Sequence, residues 1–247
     1  RINEVAGGVQ SGKSSGFGNT MEHSMNTQDS ALVVRQFQAW RLGVENELEF
    51  WERWYRTRGD QWPQDYAERL KPDRDIPPRF VEGVLAPDIV STRVLDVGAG
   101  PVSRLGNRYA GKRINVTAVD PLAPFYSEMA QRYAVDWPVK TVEGFAEDLS
   151  AQLDRGVFDA VFCSNALDHS LDPLRGIEEM MIVVRKGGRI ILEHNANEAE
   201  HEGYRGFHQY NFDVRDGAFV IWNKEVNVVV NDVLSPLANV RAHRKER

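Results

Sequence analysis

The sequence predicts a doubly wound α/β fold, a seven-stranded and mostly parallel sheet under an N-terminal helical cover. Three observations predict it. From Arg93 onward, short apolar runs alternate with helical stretches. Such alternation builds a parallel sheet with helices on both faces. Before Arg93, aromatic residues recur at helical spacing instead. The length, 247 residues, suits one such domain with additions.

Residues 1–28 are rich in Gly, Ser, Asn and Thr and read as a disordered leader or an added extension, with Met21 or Met25 as candidate native starts. Asp29 is a plausible N-cap, and Leu32, Phe37, Trp40, Val44, Leu48 and Trp51 continue at helical spacing to about Arg58. Gly59 and Pro63 interrupt that pattern. A second short helix is expected over Gln64–Leu70, then a Pro72, Pro77, Pro78 linker and a further short helix before Pro87. Residues 29–90 thus form the expected cover and 91–247 the sheet domain, where any ligand site is expected. Strands are expected at Val94–Val97, Ile114–Val119, Val139–Val142, Val157–Cys163 and Arg189–Glu193. Helices are expected at Val102–Ala110, Ala123–Ala134, Ala146–Leu153 and Leu174–Val184. The pattern is irregular from His194 to Asp213. Ala218–Trp222 then reads as a strand, Val226–Leu234 is ambiguous, and Asn239–His243 reads as a last, antiparallel strand.

Hydrophobic residues make up 42% of the chain and charged ones 27%, with a net charge of −6. The acidic balance argues against a nucleic-acid backbone as partner. No apolar run approaches the roughly 18–20 residues that span a bilayer, so no membrane partner is expected. The first thirty residues lack the apolar core of a signal peptide. A single cysteine, Cys163, has no intrachain partner, which fits a reducing, cytoplasmic setting.

In an open parallel sheet, ligands bind beyond the carboxyl ends of the strands. The first strand ends in Asp96-Val97-Gly98-Ala99-Gly100, where the two glycines let backbone approach a ligand closely. Asp96, acidic in an apolar strand end, suits an amine-bearing or cationic ligand better than a phosphate. Asp120 ends the second strand, placed to accept hydrogen bonds from ribose hydroxyls.

With these residues the chain resembles the class I S-adenosylmethionine-dependent methyltransferases, whose fold is Rossmann-like. Four segments match in order over roughly residues 80 to 195. They are Val94–Pro101, Val116–Pro121, Val142–Leu149, and Phe158–His169 followed by Lys186–Leu192. The resemblance implies S-adenosylmethionine as cofactor. It places that cofactor against Asp96, Gly98, Ala99, Gly100, Asp120, Pro121, Leu122, Phe145, Ala146, Glu147, Ser164 and Asn165. One departure stands out. Many members carry an aspartate for the adenine amino group where this chain has Phe145, which can only stack on the ring; Glu147 or Asp148 would then supply the polar contact. A dinucleotide fingerprint counted from Gly98 would need glycine where Ser103 stands.

Residues 7–14, Gly-Gly-Val-Gln-Ser-Gly-Lys-Ser, fit the phosphate-loop pattern letter for letter. That loop needs a buried strand before it and a helix after it. Neither flank supplies one, so the match is set aside.

Methyl transfer to oxygen needs in-line alignment and a base for the acceptor's proton. In the resembling fold the methyl group faces the ends of strands four and five. His194, after strand five, is the first choice for the base; His169 and Asp168, after strand four, come next. Residues 193–210 are dense in polar side chains and read as an acceptor pocket or lid. His194, His201 and His208 there are seven apart. A metal on them is the lesser reading, and no metal is expected. Trp40, Phe50, Trp51, Trp54, Tyr55 and Trp62 on the N-terminal helices suit core packing and a cover over the cofactor. The leading expectation is methylation of a small polar molecule, a sugar or natural-product intermediate, at oxygen. The alternatives are a protein or RNA methyltransferase and a catalytically silent cofactor-binding regulator. The oligomeric state is not legible.

Overall fold

The structure is a computed structural model that describes residues 2–3, 27–77, 80 and 92–244. The phosphate-loop match, most of the expected leader and the short helix expected before Pro87 lie outside the described residues. Ile2–Asn3 (β1) does not fit a disordered leader, because it pairs antiparallel with Glu193 and His194.

At the centre are five parallel strands, β2 (Arg93–Val97), β5 (Asn115–Val119), β6 (Thr141–Val142), β7 (Phe158–Ser164) and β8 (Val184–His194), side by side in the order β8-β7-β2-β5-β6. Val97 pairs with Val119 on one side and Cys163 on the other, so three strands end level and open one crevice. β2 and β7 are buried on both faces, which is why they read as mostly apolar runs, each interrupted by one aspartate. Alternate residues divide between two cores. Leu95, Val97, Val161 and Cys163 meet Ile177 and Met180 of α5 (Pro173–Val183). Val94, Ala160 and Phe162 meet Ile76, Phe80 and Leu105.

The main sheet counts seven strands and is mostly parallel, but Ala218–Trp222 is not one of them. Beyond the five parallel strands the edge carries only β1 and β12 (His243–Arg244), each two residues long. Ala218–Trp222 (β10) joins β9 (Asn211–Arg215) and β11 (Asn227–Val229) in a separate antiparallel sheet. The β9–β10 hairpin turns at Asp216-Gly217, both at positive φ, the combination a two-residue hairpin needs. Val226–Leu234 divides between β11 and a short helix, Val230–Leu234, and the last strand covers only His243–Arg244.

The expected helix over Val102–Ala110 is also absent. Arg74 Nη2 donates to the carbonyls of Ser103, Arg104 and Leu105, at 3.3, 2.8 and 2.8 Å. The amides of Asn107 and Arg108 donate to the Arg74 carbonyl. These groups would otherwise bond within a helix. Gly106 lies so close to that segment that a Cβ would sit 2.2 Å from the Arg74 carbonyl oxygen. A two-residue hairpin follows, β3 (Arg108–Tyr109) and β4 (Lys112–Arg113). Likewise Ala146–Leu153 divides into a 3-10 turn, Ala146–Asp148, and α4 (Leu149–Gln152).

Helix α1 (Thr27–Thr57) starts two residues before the expected Asp29 cap. With α2 (Pro63–Arg69) it lies over the carboxyl ends of the strands through an aromatic cluster. Trp54 and Tyr55 are buried against Val102, Leu122, Phe207 and the Tyr126 and Met129 of α3 (Ala123–Arg132). Among the described residues no helix is long and apolar enough to cross a membrane.

Candidate active site

The crevice at the strand ends and the underside of α1 form the two sides of one partly open cavity. Its floor is the turn after β2. Gly98 adopts φ +67°, and a Cβ there would lie 2.2 Å from that of Ala166, so only glycine fits. Gly98 and Ala99 donate their amides to the Val119 carbonyl.

Asp120 lines the cavity and ties its loops together. Oδ2 accepts from the Gly100 amide at 3.0 Å and Oδ1 from the Leu122 amide at 2.9 Å. Each carboxylate oxygen can accept two hydrogen bonds and here accepts one, so each keeps one lone pair for a ligand. Burial pushes this carboxyl up to about 6, against the two amides that hold it down.

Pro121, Leu122, Phe145, Ala146 and Glu147 also stand on the wall. The Phe145 ring is 5.9 Å from Trp40 of α1, and Trp40 is 5.4 Å from Phe207. Glu147 Oε1 accepts from the amides of Leu171 and Asp172, which fixes the loop after β7.

Other expected cofactor contacts lie behind the wall. Asp96 is buried and accepts from Ser103 Oγ at 2.6 Å, facing the turn that follows rather than the cavity. Burial pushes its carboxyl up to about 7. Ala99 and Gly100 are buried beside it, with Gly100 under the Trp51 ring. Ser164 accepts from Arg104, and Asn165 accepts from the Asn195 amide.

His194 does not occupy the open strand end expected of it. It is 1% exposed, 4.6 Å from the Phe212 ring, and neither ring nitrogen has a hydrogen-bond partner among the described residues. Burial pulls its pKa down to about 4. The physical reason is the separate C-terminal sheet, which packs over the end of β8 and closes it from the cavity.

His169 does line the cavity. Asp168 and His169 form the 3-10 turn Leu167–His169 directly after β7. The segment around His208 reaches the same place, because the Gln209 amide donates to the Asp168 carbonyl at 3.2 Å. His208 Nδ1 lies 2.8 Å from Asp168 Oδ2 and 3.2 Å from His169 Nε2. Burial alone would push the Asp168 carboxyl up, but His169 and His208 hold it down to about 2. His208 is raised, since Asp168 outweighs its own burial. The three evenly spaced histidines are not brought together: His201 sits exposed in α6 (Glu198–His201) and His194 is sealed on β8.

Several wall residues fall outside the expected cofactor and catalytic residues, among them Trp40, Glu47, Tyr126 and Phe207. Glu47 accepts from Trp51 Nε1 at 2.7 Å, an i, i+4 pair that presents its carboxylate on the inner face of α1. Helical periodicity puts Trp40, Val44, Glu47 and Trp51 on one face. An acidic member within that apolar stripe was the available signal.

Residues 95–192 match the family model of a methyltransferase domain. Over those residues the chain resembles S-adenosylmethionine-dependent methyltransferase domains, and S-adenosylmethionine is the methyl donor that this resemblance supports. A ubiquinone biosynthesis O-methyltransferase of Pseudomonas aeruginosa is 28% identical over 189 residues, 69% of this chain and 79% of that one. A protein of the same name from Xanthomonas oryzae pv. oryzae is 33% identical, covering 57% of this chain and 55% of that one. A tRNA U34 carboxymethyltransferase of Methylococcus capsulatus is 31% identical, covering 48% and 36%. The chain thus spans between 36% and 79% of the length of these relatives. The wall fits the donor: a backbone floor at Gly98 that admits no side chain, a carboxylate at Asp120 with free lone pairs, and an aromatic flank at Phe145 and Trp40.

Proposed function

We propose that this chain transfers a methyl group from S-adenosylmethionine to a small polar acceptor, at oxygen. The observation that carries the reading is a single cavity with a cofactor wall at Gly98, Asp120 and Phe145 and a polar patch around His169. When bound, S-adenosylmethionine supplies a methyl carbon made electrophilic by its positively charged sulfur. Asp120 receives the ribose hydroxyls on its two remaining lone pairs. Phe145 and Trp40 stack on the adenine in place of a carboxylate contact. Glu47 and the rest of α1 close the cavity against water, and residues 29–90 act as its cover.

The acceptor oxygen has to be held about 3–3.5 Å from the methyl carbon, in line with the sulfur. It also has to lose its proton. His169 is the polar ring on the wall that faces it, and Asp168 and His208 fix that ring's position. The two relatives named as ubiquinone biosynthesis O-methyltransferases support a small acceptor and an oxygen nucleophile. The net charge of −6 supports it too. Within this reading a hydroxyl-rich acceptor, a sugar or natural-product intermediate, suits the polar segment from His194 to Tyr210, and the unpaired, buried cysteine suits a cytoplasmic setting. A nucleic-acid acceptor is the second reading, favoured by the relative named for tRNA U34.

Incubation with methyl-labelled cofactor tests both. Label should enter the small-molecule fraction of a cell extract; label in RNA alone overturns the first reading and supports the second. Calorimetry should show cofactor binding that Asp120→Ala weakens strongly. His169→Asn should lower turnover by roughly a hundredfold or more while leaving cofactor affinity within a few-fold.

A further inference from the structure

We infer that Asp168, His169 and His208 form a binding site for one divalent transition-metal cation in the wall of this cavity. The donor atoms are Asp168 Oδ2, His169 Nε2 and His208 Nδ1. They lie 2.8, 3.2 and 3.4 Å from one another. A cation about 2.1 Å from each ligand gives ligand-to-ligand edges of about 3.0 Å at right angles and about 3.4 Å in a tetrahedron. The observed triangle has edges of that size. Among the described residues no other group of histidine, cysteine or carboxylate side chains converges in this way.

Protons alone satisfy the triangle poorly. With both nitrogens protonated, each donates to Oδ2 and two donors then face each other across 3.2 Å. With one nitrogen protonated, two acceptors face each other across one edge. One cation in place of the protons satisfies all three atoms. The ligands are also held from both sides. The His169 amide donates to the Ala166 carbonyl, the His208 amide to the Arg205 carbonyl, and the Gln209 amide joins the two segments at Asp168. They come from segments 39 residues apart, so the convergence is tertiary.

Two imidazoles and one carboxylate favour a borderline ion such as Zn²⁺ or Co²⁺ over Mg²⁺ or Ca²⁺, which prefer oxygen. Three protein ligands leave positions open for water or an acceptor oxygen, and His169 puts that side on the cavity. The site itself stands on geometry. Its use, drawing charge from the acceptor oxygen, rests on the methyl-transfer reading above. In that use His169 acts on the acceptor as a ligand of the cation and not by taking its proton: the new C–O bond forms as the S–C bond breaks, the sulfonium leaves as a neutral thioether, and the acceptor's proton passes to solvent.

The test uses the full chain, stripped with a chelator and titrated with Co²⁺. Calorimetry and the d–d absorption of the ion are read together. One equivalent should bind, and Asp168→Asn or His208→Gln should weaken it by at least ~100-fold, while His201→Ala, outside the triangle, binds as the parent does. S-adenosylmethionine calorimetry on each variant reports whether the fold and cofactor wall persist; if Asp168→Asn does not fold, His208→Gln, at a half-buried position, carries the comparison. No stoichiometric Co²⁺ uptake by the parent chain, or equal uptake by folded His208→Gln, overturns the site. Stoichiometric uptake without any S-adenosylmethionine binding supports the metal site while overturning the methyl-transfer reading. Uptake with chelator-insensitive turnover supports the site and overturns its use.

Discussion

Asp96 and Asp120 end neighbouring parallel strands and look equivalent in the sequence, yet their surroundings differ. Asp120 is on the cavity wall and Asp96 is sealed behind it with Ser103. Asp96 therefore has a measurable signature in stability. Its pKa stands at about 7, against an ordinary value of 3.8. The unfolded chain then gives up this proton at lower pH than the folded one. The stability it contributes is complete below about 4 and is lost as pH rises to about 7, a range worth roughly 4 kcal/mol at 1.36 kcal/mol per pKa unit. Asp96→Asn keeps an acceptor for Ser103 and cannot ionise. Urea unfolding should show the variant gaining on the parent between pH 5 and pH 8; an equal difference at both pH values would refute the assignment. His194 runs the other way. Its pKa of about 4 means the ring is neutral when folded, so its contribution is complete above about 6.5 and is lost as pH falls toward 4. His194→Leu should flatten the acid limb of the stability profile, and a limb unchanged from the parent would show that another group sets it. These two residues mark what was legible at this scale. Residue type and strand-end position were visible, as with Asp120 and His169. The side of the wall was not, because it depends on Ser103 for Asp96 and on the C-terminal sheet for His194.

At the scale of elements, local pattern was readable wherever an element's partners lie on its own face. The central strands follow from apolar runs, and α1 from its aromatic stripe. The Asp216-Gly217 turn was written in the sequence as a hairpin signal between two strands, and an irregular reading of residues 194–213 hid the first of them. The missing helix after β2 was not readable. Its carbonyls are taken by Arg74, some thirty residues earlier, and no periodicity reports a partner at that distance. Arg74 thus stands in for a helix's own hydrogen bonds. Arg74→Ala leaves several half-buried carbonyls without that donor and should cost about 1–3 kcal/mol, read from the shift in urea midpoint. A change within a few tenths of a kcal/mol would show that this turn holds without it. Trp54 is the corresponding anchor of the cover, packed between Trp51, Tyr55 and Tyr66. Trp54→Ala should cost about 3–5 kcal/mol by removing a fully buried ring, measured in the same way.

The molecule as a whole places one cavity between a rigid sheet edge and a cover that comes from far earlier in the chain. Gly98 and Asp120 belong to the sheet, Phe145 to a loop, and Trp40 and Glu47 to α1. A ligand touching all of these adds a link between parts that otherwise meet through the aromatic cluster and a few polar contacts, such as those of Arg132 and Tyr133 with Glu52. Binding to the folded state only should therefore add stability by mass action, about 2.7 kcal/mol at a cofactor concentration of a hundred dissociation constants. The added protection should also be local. Amide exchange should slow in residues 40–51 of α1 and in 144–147, because opening the cover now requires losing the ligand. The sheet of β9, β10 and β11 lines none of the cavity, so its exchange should slow only as far as global unfolding contributes. Slowing confined to the strand ends, with α1 unchanged, would show that the cofactor binds the sheet edge alone. Helix α1 would then be a packing element rather than a lid, and Glu47 and Trp40 would lose their place in the site.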